Sequence, residues 1–582
     1  MLRRLVVGVP HDNNNRMRGT RFVLSLVTLR RSNALSASTR SLRLVAFRGR
    51  SRHTSGFGPY EKFELAPQEL IASTTQTKRS EQEDTVRLRQ TDGSDVFQWV
   101  DSRMDDAEIA EAASRCVLLH GLFEVWGHGR NREDAVEDAF KSGRLLQHAG
   151  NASWSLGITC YGRSNLNKEE QQALAGGPVE MFLSSFLKGP RRTESVNSDI
   201  RVRIIEDICP PPAENLPRDV REHAEAAAAA RRRRENTFYI CRELQLGAAV
   251  GVGGTVMATG CGRRPIRGIL GALALNRRRC RGPTAIEPEV ALIMANLAKV
   301  RPGSRVLDPF CGSCSLLLPA AHMGAKTWGS DVSGPATASE EAGALVGGDT
   351  GAEGGVRQAD REDLEQIYQD FQALGVAAPT LVGADVGDEE SPVRRPEFYD
   401  AIITDPPYNI KAKVVTTSLA TKTSGRHEEA GSVLPAAGID STAHASSKAG
   451  SEWKAGGGAR AEASAKDLVG RVIWSLLALA RSSLKPGGRL CFFLPLRGAE
   501  ARLDRLPTGL LEKMSQGHLV GGPTRLAVVY TTKQRMTSPN MCRWLIVLEK
   551  EPDGPARDGA IDQAKANLGP KGPSSNSFRS MA

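Results

Sequence analysis

From Thr284 onward, compact apolar runs alternate with longer stretches of helical spacing. SRVLDPF, AKTWGSDV, TLVGAD, FYDAIIT and GRLCFFLPL have the length and composition of buried strands. PEVALIMANLAKV, CSLLLPAAHMGA, EDLEQIYQDFQALG and DLVGRVIWSLLALARSS read as the helices between them. The alternation predicts an α/β sheet, and TRLAVVYTT with CRWLIVLEK predicts a closing hairpin. Upstream, from Val117 to about Leu246, the apolar runs are CVLLHGLFEVWGHG, SWSLGITCYG, DIRVRIIEDI and TFYICREL. Charged or Gly/Pro-rich connections separate them, as in a smaller α+β domain. Between the last two, EHAEAAAAARRRREN predicts an exposed helix with a basic end, its arginines read first as a solvated face.

This pattern divides the chain. Residues 1–55 are a basic leader, 56–100 a polar stretch with little periodicity, and 56–250 together an N-terminal α+β domain. Residues 265–550 form the α/β domain, and 551–582 a polar tail expected to be disordered. Leu244–Gly262 contains six glycines and few bulky apolar side chains, so it predicts a loop insertion rather than a membrane span. Low-complexity inserts interrupt the α/β pattern near 333–356 and 414–466. Both follow the carboxyl ends of strands, where open α/β sheets bind ligands. Two readings stand for them, lids or disordered expansions too poor in apolar surface to order.

Charge changes the picture less than its total suggests. The formal net charge is +11, but residues 1–50 hold eleven arginines and one acid, Asp12. Without them 66 basic residues face 65 acidic ones, a net +1. Contact with nucleic acid must therefore come from local patches, such as the seven arginines without an acid between Arg263 and Arg281. The leader, rich in Arg and Ser, reads equally as an organellar transit peptide or as a disordered basic extension. The ten cysteines include one CxxC pair, Cys311 and Cys314, and no second pair to complete a zinc site.

The candidate chemistry lies at strand ends. VLDPFCGSCSLLLPAA is a strand, an acid, a small-residue turn and a helix, a local pattern that brings backbone N–H groups close to a ligand. Asp331 ends the next strand about twenty residues on, where a carboxylate accepts hydrogen bonds from ribose hydroxyls. Asp385 holds the same position after the third strand. Each acid alone is more often a loop cap; three in succession suggest an adenosine-bearing cofactor. The fourth strand ends in DPPY. Pro406 and Pro407 remove two N–H donors and fix φ near −65°, Asp405 supplies an acceptor, and Tyr408 offers a face for a base. Acceptors without donors beside an aromatic ring suit an exocyclic amine held by its N–H groups and facing a methyl donor.

These motifs resemble the amino-methylating class I methyltransferases, whose motif is [D/N]PP[Y/F]. RGPTAIEPEVALIMANLAKVRPGSRVLDPFCGSCSLLLPAAHMGAKTWGSDV more narrowly resembles the catalytic subunit of the eukaryotic tRNA (guanosine-10-N2)-methyltransferases, and FEVWGHGRNREDAVEDAFK, RVRIIEDI and FYICREL resemble that family's THUMP-containing N-terminal region. The resemblance implies a Rossmann-like fold with a seven-stranded, mostly parallel sheet and S-adenosyl-L-methionine as cofactor. Asp308, Phe310 and the turn through Gly312 would line its methionine part, Asp331 its ribose and Asp385 its adenine. Asp405, Pro406, Pro407 and Tyr408 would hold the guanine. The arginines of 263–281 and the N-terminal domain would grip the tRNA backbone. The implied partners are tRNA and a small zinc-binding activator subunit, with no metal in the reaction and no membrane. The implied compartment is the cytoplasm, or a mitochondrion or plastid if the leader is a transit peptide.

Two residues depart from the family pattern: Cys314 stands where the turn normally has glycine, and Asn409 replaces the glycine after the tyrosine. Other acceptors stay open, namely a different guanine N2 in tRNA or rRNA, or an adenine N6. So do a redox protein built on FCGSC and a non-catalytic RNA-binding scaffold. His128 in WGHG and Cys311 receive no catalytic role.

Overall fold

The computed structural model describes residues 43–47, 59–74, 86–91, 97–161, 177–192, 198–207, 236–246, 269–282, 285–332, 358–407, 458–503, 505–516, 525–536 and 540–552. Two sheets organise them. The first contains β1 (Arg43–Phe47), β2 (Arg87–Gln90), β3 (Phe97–Asp101), β4 (Leu119–Gly129), β5 (Trp154–Tyr161), β6 (Ile200–Asp207) and β7 (Thr237–Leu246). Their order is β2-β3-β1-β4-β7-β6-β5, antiparallel except where β5 runs beside β6. Helices α1 (Pro59–Thr74), α2 (Asp106–Arg115), α3 (Arg132–Ser142) and α4 (Pro178–Phe186) belong to this module. Local chemistry sets their ends. Asp105 and Glu108 form a reciprocal capping box at the start of α2, and Gly143, with φ of 67°, ends α3 in the left-handed conformation.

The second sheet contains β8 (Arg305–Asp308), β9 (Lys326–Asp331), β10 (Thr380–Gly383), β11 (Tyr399–Thr404), β12 (Leu484–Arg497), β13 (Leu526–Arg535) and β14 (Met541–Lys550). Their order is β10-β9-β8-β11-β12-β14-β13. The first five are parallel, and β14 runs antiparallel between its two neighbours. With α5 (Pro288–Leu297), α6 (Leu317–His322), α7 (Gln358–Ala373), α8 (Gly458–Ser483) and α9 (Thr508–Gln516) this is the α/β architecture expected of a class I methyltransferase. Strand order reverses at β8 and β11, so the carboxyl ends of these neighbours bound the crevice where open α/β sheets take ligands.

The apolar pattern explains the joint between the modules. Every residue of α5 is buried, as its largely apolar sequence requires, and its two polar residues, Glu289 and Asn296, are buried with the rest. One continuous core runs from Leu65 and Leu70 of α1 through Val290 and Met294 of α5 to Ile403 and Phe493 of the second sheet. Glu69 lies inside it, fully buried. It accepts hydrogen bonds from the Val117 and Leu118 N–H groups, both at 2.9 Å, and from Asn296 Nδ2 at 2.7 Å. Arg301 returns the contact by donating to the Ala72 and Ser73 carbonyls.

The structure shifts three expected boundaries. β1 falls within the segment read as leader, yet it pairs with both β3 and β4, and Arg43 is buried against Asp106 at 2.7 Å. The stretch 56–100 holds α1, β2 and β3, whose order comes from packing against the rest of the sheet rather than from local periodicity. Helix α8 begins at Gly458, inside the second low-complexity insert. The remainder of the leader, the whole of the first insert, most of the second, the basic helix near 222–235 and the tail beyond 552 lie outside the described residues.

Burial lifts Glu69 from its ordinary 4.5 to about 7, against the lowering effect of its three hydrogen bonds. The folded chain therefore holds a proton there that the unfolded chain releases, so this group's contribution to stability declines as pH rises from 4.5 through 7. Glu69→Gln should flatten that part of the stability profile. Glu69→Ala, which strands three donors, should lower unfolding free energy by roughly 2–4 kcal/mol. Chemical denaturation at several pH values checks both.

Candidate active site

Four of the acids expected at strand ends stand along one edge of the second sheet, in the spatial order Asp385, Asp331, Asp308, Asp405. Asp308 closes β8 and Asp331 closes β9, while Asp385 and Asp405 follow β10 and β11 within two residues. Parallel pairing of the four strands brings their carboxyl ends together.

The turn after β8 is built from these carboxylates. Asp308 is 2% exposed, and its Oδ1 accepts from the Thr404 hydroxyl at 2.6 Å and the Phe310 N–H at 3.1 Å. Thr404 is the last residue of β11, so this bond ties the two strands at the crevice. Burial raises Asp308 to about 7, its two hydrogen bonds lower it, and the charges of Asp331 and Asp405 raise it again. Asp331 Oδ2 accepts from the Gly312 N–H at 3.1 Å. Gly312 has φ of 45° with no atom within 4 Å of where a Cβ would stand, so the turn is open above it. Asp385 accepts from the Gly387 N–H at 2.8 Å, closing its own loop.

Cys314 occupies the left-handed region with φ of 58°, which is the conformation that the expected glycine would adopt without strain. Its N–H donates to the Cys311 carbonyl at 2.7 Å, and its carbonyl receives the Leu318 N–H of α6. Both thiols are buried, and a hydrogen bond between them, together with burial, pushes Cys311 well above its ordinary value. A redox pair needs a thiol driven the other way. Cys311 is instead a packing residue: a Cβ on Gly329 of β9 would come within 2.8 Å of its sulfur.

Asp405 is held from one side only. Its Oδ2 accepts from Arg543 Nη1 at 2.8 Å. Its Oδ1 is buried and, among the described residues, accepts no hydrogen bond. Burial raises Asp405 to about 6 while Arg543 pulls it down. Pro406 is buried and Pro407 half-buried beside it. Tyr408 and Asn409 lie outside the described residues. The arrangement fits S-adenosylmethionine and an amine acceptor: carboxylates at three adjacent strand ends for a cofactor rich in hydroxyl and amino donors, an open glycine turn, and one buried acceptor without a donor at the fourth.

The basic connector divides in two. Arg278, grouped by sequence with the RNA-gripping arginines, is buried. Its Nε contacts Asp370 of α7 at 3.4 Å, and its guanidinium also donates to the Ser313 carbonyl in the cofactor turn. It braces the turn and does not face solvent. Arg277, Arg279 and Arg281 are exposed, although Arg281 bonds to the Arg278 and Asn276 carbonyls. Arg263, Arg264 and Arg267 lie outside the described residues. His128 is tied to Asp138 at 3.1 Å and packs near Trp99 and Tyr239, in keeping with a structural role. No motif pointed to Thr404 or Arg543, and Arg278 was grouped with the RNA-gripping arginines. For Arg543 the signal was present: one arginine within CRWLIVL, an otherwise apolar strand, requires a buried partner.

Residues 276–420 match the UPF0020 family, described as an RMKL-like methyltransferase domain. The tRNA (guanine(10)-N(2))-methyltransferase TRMT11 of Mus musculus is 22% identical over 428 residues, which cover 72% of this chain and 75% of that protein. The tRNA (guanine(10)-N(2))-methyltransferase of Saccharomyces cerevisiae is 22% identical over 57% of this chain and 63% of its own length. The TRMT11 protein of Dictyostelium discoideum is 33% identical over 138 residues, 24% of this chain and 23% of its own. The last two matches thus span less than two thirds of those relatives.

Thr404→Val should leave buried Asp308 short of one donor, lower stability by about 1–3 kcal/mol, and weaken S-adenosylmethionine binding in calorimetry. Thr404→Ser, which keeps the hydroxyl, should restore most of both. Residues 276–420 thus match a methyltransferase domain described as RMKL-like, and the chain is similar to the tRNA (guanine(10)-N(2))-methyltransferases.

Proposed function

We propose that this chain methylates the exocyclic N2 amine of a guanosine in tRNA, at position 10, using S-adenosylmethionine. The observation that carries the reading is the Asp405 carboxylate, with Oδ2 fixed by Arg543 and Oδ1 enclosed without a donor among the described residues. An exocyclic amine supplies the missing N–H. The relatives' names and the alignment of four acids at the crevice support it.

The bound cofactor would supply an electrophilic methyl group on a sulfonium. Asp331 and Asp385 would hold it at the ends of β9 and β10, with the turn through Gly312 beneath it and Asp308 bracing that turn. Asp405 Oδ1 and the Pro406 carbonyl would accept the amine's hydrogens. Fixing them out of the base plane withdraws the nitrogen lone pair from conjugation and makes it nucleophilic. The same acceptors offset the positive charge that develops on nitrogen, which would lose one proton to solvent as the sulfonium became a neutral thioether, and most of the acceleration comes from positioning and preorganised charge. The resemblance adds a small zinc-binding activator subunit as partner and the cytoplasm as compartment to the proposal.

Incubation with labelled S-adenosylmethionine and total tRNA, with and without the activator, followed by nucleoside mapping, tests the assignment. N2-methylguanosine at position 10 is expected; label on adenine, or in rRNA only, contradicts it. Asp405→Ala should lower kcat/KM by about 10- to 100-fold, the worth of one hydrogen bond to a charged group. Because the ionised carboxylate is the acceptor, kcat/KM should fall as pH drops through about 6.

A further inference from the structure

We propose that Arg543 is a positioning residue that selects which oxygen of Asp405 meets the substrate amine and keeps that oxygen an acceptor. The proposal rests on the amine-methylating reading of the site.

Arg543 lies on β14, two strands from β11 in the sheet. To reach Asp405 it must cross β12, and it does so with its guanidinium 3.9 Å from the centre of the Phe493 ring. In the register it stands opposite Pro495 of β12 and Gln534 of β13. Its Nε donates to Gln534 Oε1, and its Nη1 donates to Asp405 Oδ2 at 2.8 Å. Three strands therefore fix one planar group: β13 by a hydrogen bond, β12 by a ring face and β11 by the carboxylate. A guanidinium so held cannot turn to serve both carboxylate oxygens. Oδ2 is committed, and Oδ1 is left buried with no donor among the described residues.

That asymmetry has a chemical consequence. A buried carboxylate with one oxygen unsatisfied is costly in the absence of a donor and is driven to take a proton. Protonated, it would offer an O–H where the amine needs an acceptor. Among the described residues, the charged groups recorded as interacting with Asp405 are Arg543 from β14, which lowers it, and Asp308 from β8, whose own carboxyl Asp405 raises. β12 and β13 contribute Phe493 and Gln534, which carry no charge. Arg543 is thus the cation that acts on Asp405, and what opposes it is burial of the carboxylate. Burial sets Asp405 to about 6 with the arginine in place.

The test is the pH dependence of kcat/KM for methyl transfer by the full-length chain, with its activator if activity requires one. Wild type is compared with Arg543→Gln and Arg543→Lys, and S-adenosylmethionine affinity is measured alongside by calorimetry. In Arg543→Gln the acid limb should move to higher pH by about 1–3 pH units, the usual effect of losing an adjacent opposite charge. Much of its activity should return at pH 9, with cofactor affinity within about 2-fold of wild type. Arg543→Lys should keep the limb near the wild-type position but lower the plateau about 10-fold, because an ammonium restores the charge without the planar fork. A purely structural arginine would scale the whole curve without moving it, and that result for Arg543→Gln overturns the proposal. If Arg543→Gln does not fold, Arg543→Lys decides: a wild-type plateau overturns the proposal. A wild-type chain that methylates no RNA amine sinks the functional reading and this role together. A wild type that does so, beside a glutamine variant with an unmoved limb, sinks this role alone.

Discussion

The site depends on a carboxylate with one oxygen satisfied and the other, among the described residues, buried without a donor. The Asp405–Arg543 pair spans β11 to β14 across an intervening strand. It places a charged hydrogen bond between two largely buried side chains. A buried ion pair of this kind is weak evidence for stability, since desolvation offsets much of its attraction. Its value here is geometric. It fixes the plane of the acceptor and leaves the other oxygen without a donor among the described residues.

Around that fixed point the other parts fall into place through short links between strand ends. Thr404 joins the end of β11 to Asp308 at the end of β8, Asp308 holds the Phe310 N–H, and Asp331 holds that of Gly312. Arg278 reaches from the connector to the next carbonyl of the same turn. The turn is thus gripped by three side chains, Asp308, Asp331 and Arg278, the first of them braced by Thr404. This explains how Cys314 can keep a left-handed backbone conformation that costs a non-glycine residue roughly 1–2 kcal/mol. The surrounding bonds determine the conformation, and the residue accepts the strain.

Much of the second sheet was legible in the sequence because both its strands and its helices are apolar enough to show their period. The acids stood out because each ended such a run. The first sheet was harder. β1 is five residues, Arg43–Phe47, inside a leader dominated by arginine, and its Arg43 is neutralised by Asp106, sixty-three positions away. No local pattern could reveal that partner. Arg278 was misassigned for the same reason: its charge is answered by Asp370, which sequence places ninety-two residues on. Composition reports how much charge a segment carries, and only the fold shows which of it is already spent on another side chain. Arg543 could have been suspected from its apolar neighbours, but not the identity of its partner.

The central claim is that Asp405 Oδ1 takes an N–H of the guanine N2 amine. It is tested most directly by a double-substitution cycle that combines Asp405→Ala with tRNA in which inosine, lacking that amine, replaces the target guanosine. Affinity is measured in the presence of a non-reactive cofactor analogue. Each change alone should weaken binding by about 10-fold or more, the worth of a hydrogen bond to a charged group, and the two together should cost no more than either one. Losses that simply add would mean that the carboxylate and the amine do not meet, and would contradict the account.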